Sequence, residues 1–224
     1  MSVVWMGPPP ALANTLRRSF NISAFVETGT YLGRTARWAS KSFTKVITIE
    51  ASAELYRDAK QRLSRLPNVE VMHGSSEQLL GKVASSLTEP ALFWLDAHWS
   101  GGTTFRSESE CPVRQEIRQV LEANVGHFLL IDDVRHFLAP PPLPHDPNKW
   151  PSIAELLNDL TALRPKGYQA VVEDVLISVP AIARQTVVTY CQNAQIREDA
   201  RRRRDKWFSL LSPSYVHNLL LRRF

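Results

Sequence analysis

The chain is poor in cysteine. Cys111 and Cys191 are its only two, far apart and in no CxxC spacing. That excludes a thiolate zinc centre and a disulfide framework, and leaves reduced thiols as the expectation. Long apolar runs are also missing. No stretch of roughly 18 apolar residues occurs, so no transmembrane helix is expected. Met1-Ser2-Val3-Val4-Trp5-Met6-Gly7-Pro8 lacks the basic region and apolar stretch of a signal peptide, so the expected location is cytoplasmic. Internal repeats and low-complexity segments are absent as well. What is there, 224 residues at 44% hydrophobic and 22% charged, is enough for one domain with a full core.

The body of the chain has no excess of charge of either sign. The formal total is +5, from 27 basic and 22 acidic residues. Beyond residue 196, eight basic residues (Arg197, Arg201 to Arg204, Lys206, Arg222, Arg223) face three acids, Glu198, Asp199 and Asp205, so this tail alone carries +5. The preceding 196 residues are balanced at nineteen of each sign. The pI near 9.4 is therefore no nucleic-acid footprint over the whole protein, and any basic partner surface belongs to the tail.

Short apolar, β-branched runs alternate with helical stretches, the pattern of βαβ units. Strands are expected at Ala24–Glu27, Lys45–Glu50, Val69–His73, Leu92–Asp96 and His127–Asp132, with a final pair at Tyr168–Asp174 and Val175–Val179. Helices are expected near 34–42, 53–66, 77–86, 112–124 and 152–163, and from Ala183 onward. Pro140-Pro141-Pro142-Leu143-Pro144 is too proline-rich for regular structure. The expected fold is α/β: a Rossmann-like, doubly wound, mostly parallel seven-stranded sheet with an antiparallel terminal pair. The expected division is a domain over 1–196, with its core at 24–180, and a basic, partly amphipathic helical extension over 197–224.

Ligands in such sheets bind outside the carboxyl ends of the strands, so the residues after each apolar run matter most. The first strand runs into Glu27-Thr28-Gly29-Thr30-Tyr31-Leu32-Gly33, whose glycines let backbone approach a ligand. The second ends in Glu50, which either accepts hydrogen bonds from a ribose diol or serves the next helix N-terminus as an acid. Asp96 closes Leu92-Phe93-Trp94-Leu95, and Asp132-Asp133 close Phe128-Leu129-Leu130-Ile131. Acids against apolar strands need a partner or a cation. Three carboxylates at adjacent strand ends suit Mg²⁺, Mn²⁺ or Ca²⁺, although Asp133 can equally cap its own loop.

These runs, with Gly74-Ser75-Ser76-Glu77 between them, occur in the order and spacing that resemble class I S-adenosylmethionine-dependent methyltransferases. Within that fold they are most similar to the metal-dependent O-methyltransferases of the catechol, caffeoyl-CoA and macrocin types. The resemblance covers roughly Phe25 to Val179. It implies that Glu27 and the Gly29–Gly33 turn hold the amino-acid end of the cofactor, with Thr30, Tyr31 and Thr35 lining it. It further implies Glu50 on the ribose, Ser76 and Glu77 near the adenine, and Asp96 beside the cofactor. Asp96, Asp132 and Asp133 would ligate the divalent ion, Asp133 standing where catechol-type enzymes have asparagine. The implied reaction is O-methylation of a small hydroxylated molecule or a glycan. A metal would lower the hydroxyl pKa and set the oxygen in line with the sulfonium methyl.

One departure concerns the base. Catechol-type enzymes place a lysine three residues after the fourth-strand aspartate, and this chain has Trp99 there. His98 is the nearest group that could take a proton near neutral pH, and it reads equally as a loop histidine or a further metal ligand; His136 is a second candidate. The Ser100-Gly101-Gly102-Thr103-Thr104-Phe105 loop, the Pro140–Pro144 excursion and Trp150 read as a lid over the substrate.

Three occupants fit the tail: the domain or a second copy in a homodimer, an anionic membrane surface at the inner face, or nucleic acid. The balanced body and the lack of an Asn/Asp-Pro-Pro-Tyr run after the fourth strand speak against RNA. A cofactor-binding module without methyl transfer, or a metal-dependent oxygenase-like relative of the cephalosporin-hydroxylase type, is the alternative to the methyltransferase.

Overall fold

The computed structural model describes residues 7–97 and 110–210. Helix α1 (Pro10–Ser19) leads into β1 (Ala24–Thr28), α2 (Arg34–Ala39), β2 (Lys45–Glu50), α3 (Ala53–Leu63) and β3 (Val69–His73). Next come α4 (Ser76–Ser86), β4 (Ala91–Leu95), α5 (Val113–Glu122), β5 (Phe128–Ile131) and the short α6 (Arg135–Leu138). After them follow α7 (Ile153–Leu163), β6 (Tyr168–Val172), β7 (Val175–Val179) and α8 (Arg184–Leu210). Two compact units divide the chain, Met1–Thr186 and Val187–Phe224; the first holds the whole sheet, and the described part of the second is the remainder of α8. No helix among the described residues is long and apolar enough to cross a membrane.

The sheet has the order β3-β2-β1-β4-β5-β7-β6. β1 to β5 are mutually parallel, and β7 runs antiparallel to both β5 and β6, which is the expected mixed sheet. β1, β4, β5 and β7 are buried along their whole length, whereas the edge strands β3 and β6 are partly exposed. Burial on both faces explains why the inner strands read as unbroken apolar runs.

On one face, Ile47, Ile49, Phe93, Leu95, Leu129 and Ile131 pack with Leu80, Val83, Ile117, Val120, Leu156 and Leu160 of α4, α5 and α7. On the other, Phe25 meets Phe43 and Trp38, with ring centroids 5.2 and 6.0 Å away. Helix α1 covers this second face: Phe20 packs on Phe128 at 5.1 Å, and Arg17 lies over the Phe43 ring. Leu12, Ala13 and Leu16 are fully buried there. Burying each leucine is worth about 1.5–3 kcal/mol.

Three boundaries differ from the sequence expectation in ways that matter for the site. Asp96 and Asp132 stand one residue beyond β4 and β5, outside the ladder core. The strand expected to reach Asp174 stops at Val172. Glu173 and Asp174, with φ of 51° and 66°, instead form a two-residue hairpin turn of the kind whose two central residues both take positive φ. Helices α1 and α6 were not expected at all; Pro10 in the first turn of α1 and the spacing of Leu12, Ala13 and Leu16 are the signals for the former.

Candidate cofactor and acceptor site

Strand order reverses beside β1: β2 and β3 lie on one side, β4 and β5 on the other. The crevice above the carboxyl ends of β1 and β4 is where a sheet of this kind takes its ligand.

The turn after β1 is built for close backbone approach. Gly29 has φ of +81°, and a Cβ on it would lie 2.4 Å from the Asp96 carbonyl oxygen. The Gly29 and Thr30 N–H groups donate to the Ile49 carbonyl at 3.0 and 3.3 Å, which ties the turn to β2. Gly33 closes the turn through its N–H on the Thr30 carbonyl at 2.8 Å and opens α2 at φ of +70°.

Glu50 sits at the rim and is 5% exposed. Its two oxygens are held separately: Oε2 accepts from the Tyr31 N–H at 2.8 Å and Oε1 from the Ser52 N–H at 2.9 Å. Both readings of Glu50 therefore have a basis, since the acid serves the start of α3 and each oxygen keeps a lone pair for a hydroxyl. Tyr31, at φ of 47° and 44% exposed, stands beside it.

Beneath the turn lies a polar layer. Thr48 Oγ1 donates to Glu27 Oε2 at 2.7 Å and is 2.6 Å from Thr30 Oγ1; Thr35 adds a further side-chain hydrogen bond to Glu27. Glu27 is 1% exposed and Thr30 3%, so their side chains turn inward. Burial pushes the Glu27 carboxyl up to about 8; the Thr48 and Thr35 hydrogen bonds oppose this, and the charges of Asp96 and Glu50 add to it. At neutral pH this carboxyl is mostly protonated. Across the crevice, the Asp96 N–H donates to Thr28 Oγ1 at 3.1 Å.

Ser76, 5% exposed, opens α4, and Glu77 follows it, its carbonyl accepting from Gln119 Nε2 at 2.7 Å. Glu50 pairs in register with His73, whose ring stacks on Tyr56 at 4.9 Å. The structure thus gathers Gly29, Tyr31, Gly33, Glu50 and Asp96 along the crevice, with Glu27, Thr30 and Thr35 below and Ser76 and Glu77 beyond β3.

The expected metal triad is not assembled. Asp132 stays at the end of β5, where its N–H donates to the Leu95 carbonyl at 3.1 Å and its Oδ1 accepts the Asp133 N–H at 2.7 Å. Asp133 has φ of 56° and pairs with Arg135 Nη1 through Oδ1 at 2.5 Å. Among the described residues, no group of three or more His, Cys, Asp or Glu side chains is placed to hold a metal ion. Asp133 therefore does not fit the divalent ion expected of it, because it is turned toward a guanidinium. His98, with Trp99 and the Ser100–Phe105 loop, lies outside the described residues.

Leu95, Cys111, Val113, Ile131, Asp132 and Phe137 line a small pocket above β4 and β5. Burial pushes the Cys111 thiol up to about 12, so it is an unreactive apolar wall.

Sequence reasoning missed Thr48, Arg135 and Asp174. Thr48 could have been found, as the one hydroxyl inside the Lys45–Glu50 run. The other two carry no spacing signal.

Strand order, antiparallel seventh strand and ligand crevice together define the Rossmann-like methyltransferase fold. No family model matches the sequence, and no curated protein matches it. Solved structures do share the fold. One is a Staphylococcus aureus protein provisionally described as a caffeoyl-CoA O-methyltransferase (TM-score 0.51, 16% identity, covering 79% of this chain and 86% of that one). Another is the SAH-bound Podospora anserina methyltransferase PaMTH1 (0.51, 15%, 76% of each chain). The 23S rRNA methyltransferase ErmE also superposes (0.50, 12%, 78% and 69%).

Proposed function

We propose that this protein is an S-adenosylmethionine-dependent methyltransferase acting on a hydroxyl of a small molecule or glycan. The observation that carries the reading is the Gly29–Gly33 turn at the strand-order reversal, packed so closely on Asp96 that no side chain fits at Gly29, with the Glu50 carboxylate at its rim. The donor set suits the cofactor. Glu50 offers two oriented oxygens to a ribose diol, the Gly29–Gly33 backbone leaves room for the amino-acid end, and Asp96 places a carboxylate beside a cationic sulfonium.

Held by Glu50 and the Gly29–Gly33 turn, S-adenosylmethionine would supply an electrophilic methyl group to the acceptor oxygen, the S–C bonding pair staying on sulfur and the acceptor proton going to a base. The chain's own part is orientation and charge. Glu50, fixed by two N–H donors, sets the cofactor's position, and the protonated Glu27 layer holds the turn rigid without adding charge beneath it. His98 is the proposed base, with His136 as the second candidate.

The hydroxyl acceptor is supported by the balanced charge of residues 1–196 and by Asp96-Ala97-His98-Trp99 standing where base-amine enzymes carry Asn/Asp-Pro-Pro-Tyr. A second reading, RNA methylation, draws on the exposed Arg202, Arg203 and Arg204 of α8. The test is calorimetric titration of S-adenosylmethionine into the full chain and into Glu50→Ala. Transfer of labelled methyl to pooled hydroxylated small molecules, glycans and ribosomal RNA then follows. Tight binding weakened by Glu50→Ala is expected, with label on a hydroxyl. Absence of binding at millimolar cofactor overturns the methyltransferase, and label on RNA alone moves the acceptor to the second reading.

A further inference from the structure

Asp133, just beyond β5, already has a cation. Asp133 Oδ1 lies 2.5 Å from Arg135 Nη1, and Asp174 Oδ2 pairs with the same nitrogen. Asp174 is held in the β6–β7 turn, where its carbonyl accepts the Val134 N–H at 3.0 Å and its Oδ1 accepts the Arg135 N–H at 2.9 Å. Both acids are well covered, at 14% and 7% side-chain exposure, while the Arg135 side chain reaching them is 42% exposed, so the contact is held by its geometry on two acids and is partly screened by solvent. Burial works against the Arg135 charge, and the carboxylates of Asp133, Asp174 and Asp132 outweigh it, raising the guanidinium pKa above its ordinary value.

The geometry shows why the arrangement is stable against exchange. Arg135 follows Asp133 by two residues, across a turn in which Asp133 takes φ of 56° and accepts the His136 N–H on its carbonyl at 2.9 Å. The cation is thus supplied by the same turn as one of its acids, and the second acid arrives on a hairpin fixed by the β6–β7 register. A divalent ion would have to displace a covalently tethered guanidinium, bonded to two carboxylates, to recruit Asp133.

We infer that Arg135 is a resident cation of Asp133 and Asp174, so that Asp133 is not available as the divalent-ion ligand the metal-dependent resemblance makes of it and methyl transfer by this protein does not require that ion. The inference rests on the methyltransferase reading for its consequence in catalysis, but the occupancy of the carboxylates by Arg135 stands apart from it. One property of the acceptor follows. With no metal to bridge two oxygens, recognition does not require a chelating vicinal diol, and a single hydroxyl suffices.

The experiment is calorimetric titration of Mg²⁺ and Mn²⁺ into EDTA-dialysed full-length protein and into Arg135→Gln, Arg135→Lys, Asp133→Asn and the Arg135→Gln/Asp133→Asn double variant. Wild type and Arg135→Lys should show no binding at up to about 1 mM metal, the weak end of carboxylate sites. Arg135→Gln removes the guanidinium charge from Asp133 and Asp174 and should gain Mn²⁺ affinity by about tenfold or more, a gain the double variant should lose. Sub-millimolar binding by wild type that Asp133→Asn abolishes overturns the inference, and so does a folded Arg135→Gln that gains nothing. Should Arg135→Gln fail to fold, the wild-type titration decides alone. Binding of S-adenosylmethionine is measured in the same EDTA-treated samples: its loss overturns the methyltransferase reading, while the metal titrations still report on Arg135.

Discussion

Gly29 and Asp96 face each other across the strand-order reversal so closely that a methyl group on the first would lie 2.4 Å from the carbonyl oxygen of the second. The contact joins the turn after β1 to the residue after β4, and a ligand in the crevice must pass over it. Gly29→Ala would meet both that oxygen and the strain of φ at +81°. The expected cost is about 2–4 kcal/mol of stability, read as a lower urea midpoint with an unchanged slope. Cofactor affinity should fall as the turn is pushed aside. A variant as stable as wild type would mean that the turn can retreat from Asp96 without loss.

Glu50 makes the next prediction. Both of its oxygens accept backbone N–H groups, so Glu50→Gln turns an NH₂ group toward either the Tyr31 or the Ser52 N–H. Two donors then face each other, which costs about 1–3 kcal/mol in a buried place. S-adenosylmethionine affinity should fall about tenfold, equivalent to about 1.4 kcal/mol. Calorimetry on the folded variant checks it, and an unchanged affinity would remove Glu50 from the cofactor site.

Much of this arrangement is written in local sequence, and the part that is not has a common cause. Inner strands are legible because burial on both faces demands unbroken apolar runs such as Phe128-Leu129-Leu130-Ile131. The Glu27–Gly33 turn is legible because glycines with positive φ must sit where backbone crowds backbone. The fate of Asp133 is not. Its role is decided by Arg135 and Asp174, and the second of these comes from a hairpin 39 residues beyond Arg135. Three acids at adjacent strand ends look like a metal site until the side chain that neutralises one of them is known. Helix α1 opens on Pro10, and proline, a breaker inside a helix, is well suited to a first helical turn.

Helix α7 offers a stability test remote from the crevice. Its N-terminus carries a reciprocal cap: Ser152 Oγ accepts the Glu155 N–H at 3.3 Å, and Glu155 Oε2 accepts the Ser152 N–H at 2.8 Å. The Ser152 hydrogen bonds hold the Glu155 carboxyl below its ordinary range. Ser152→Ala should cost about 1 kcal/mol in denaturant unfolding while leaving cofactor affinity at the wild-type value. A drop in affinity would show that α7 reaches the site.

The buried Glu27 carboxyl should leave a signature in the pH dependence of stability. Its value in the folded chain is about 8, against 4.5 for the unperturbed group. Below the lower value both states are protonated and its contribution is fully present. Between the two values the unfolded chain ionises while the folded one keeps the proton, so stability falls as pH rises, by up to about 1.4 kcal/mol per unit. Above the upper value the curve flattens, because both states are ionised. Glu27→Gln removes the titrating group, and its Oε1 can still accept the Thr48 hydroxyl that now bonds Glu27 Oε2 at 2.7 Å. The variant should therefore gain on wild type from about pH 5 to pH 8, by on the order of a few kcal/mol across the window. Urea unfolding of both proteins through that range reads the difference directly. Parallel curves would mean that Glu27 is ionised in the folded chain, and that the layer beneath the turn carries a negative charge toward the cofactor rather than a neutral hydrogen-bonding group.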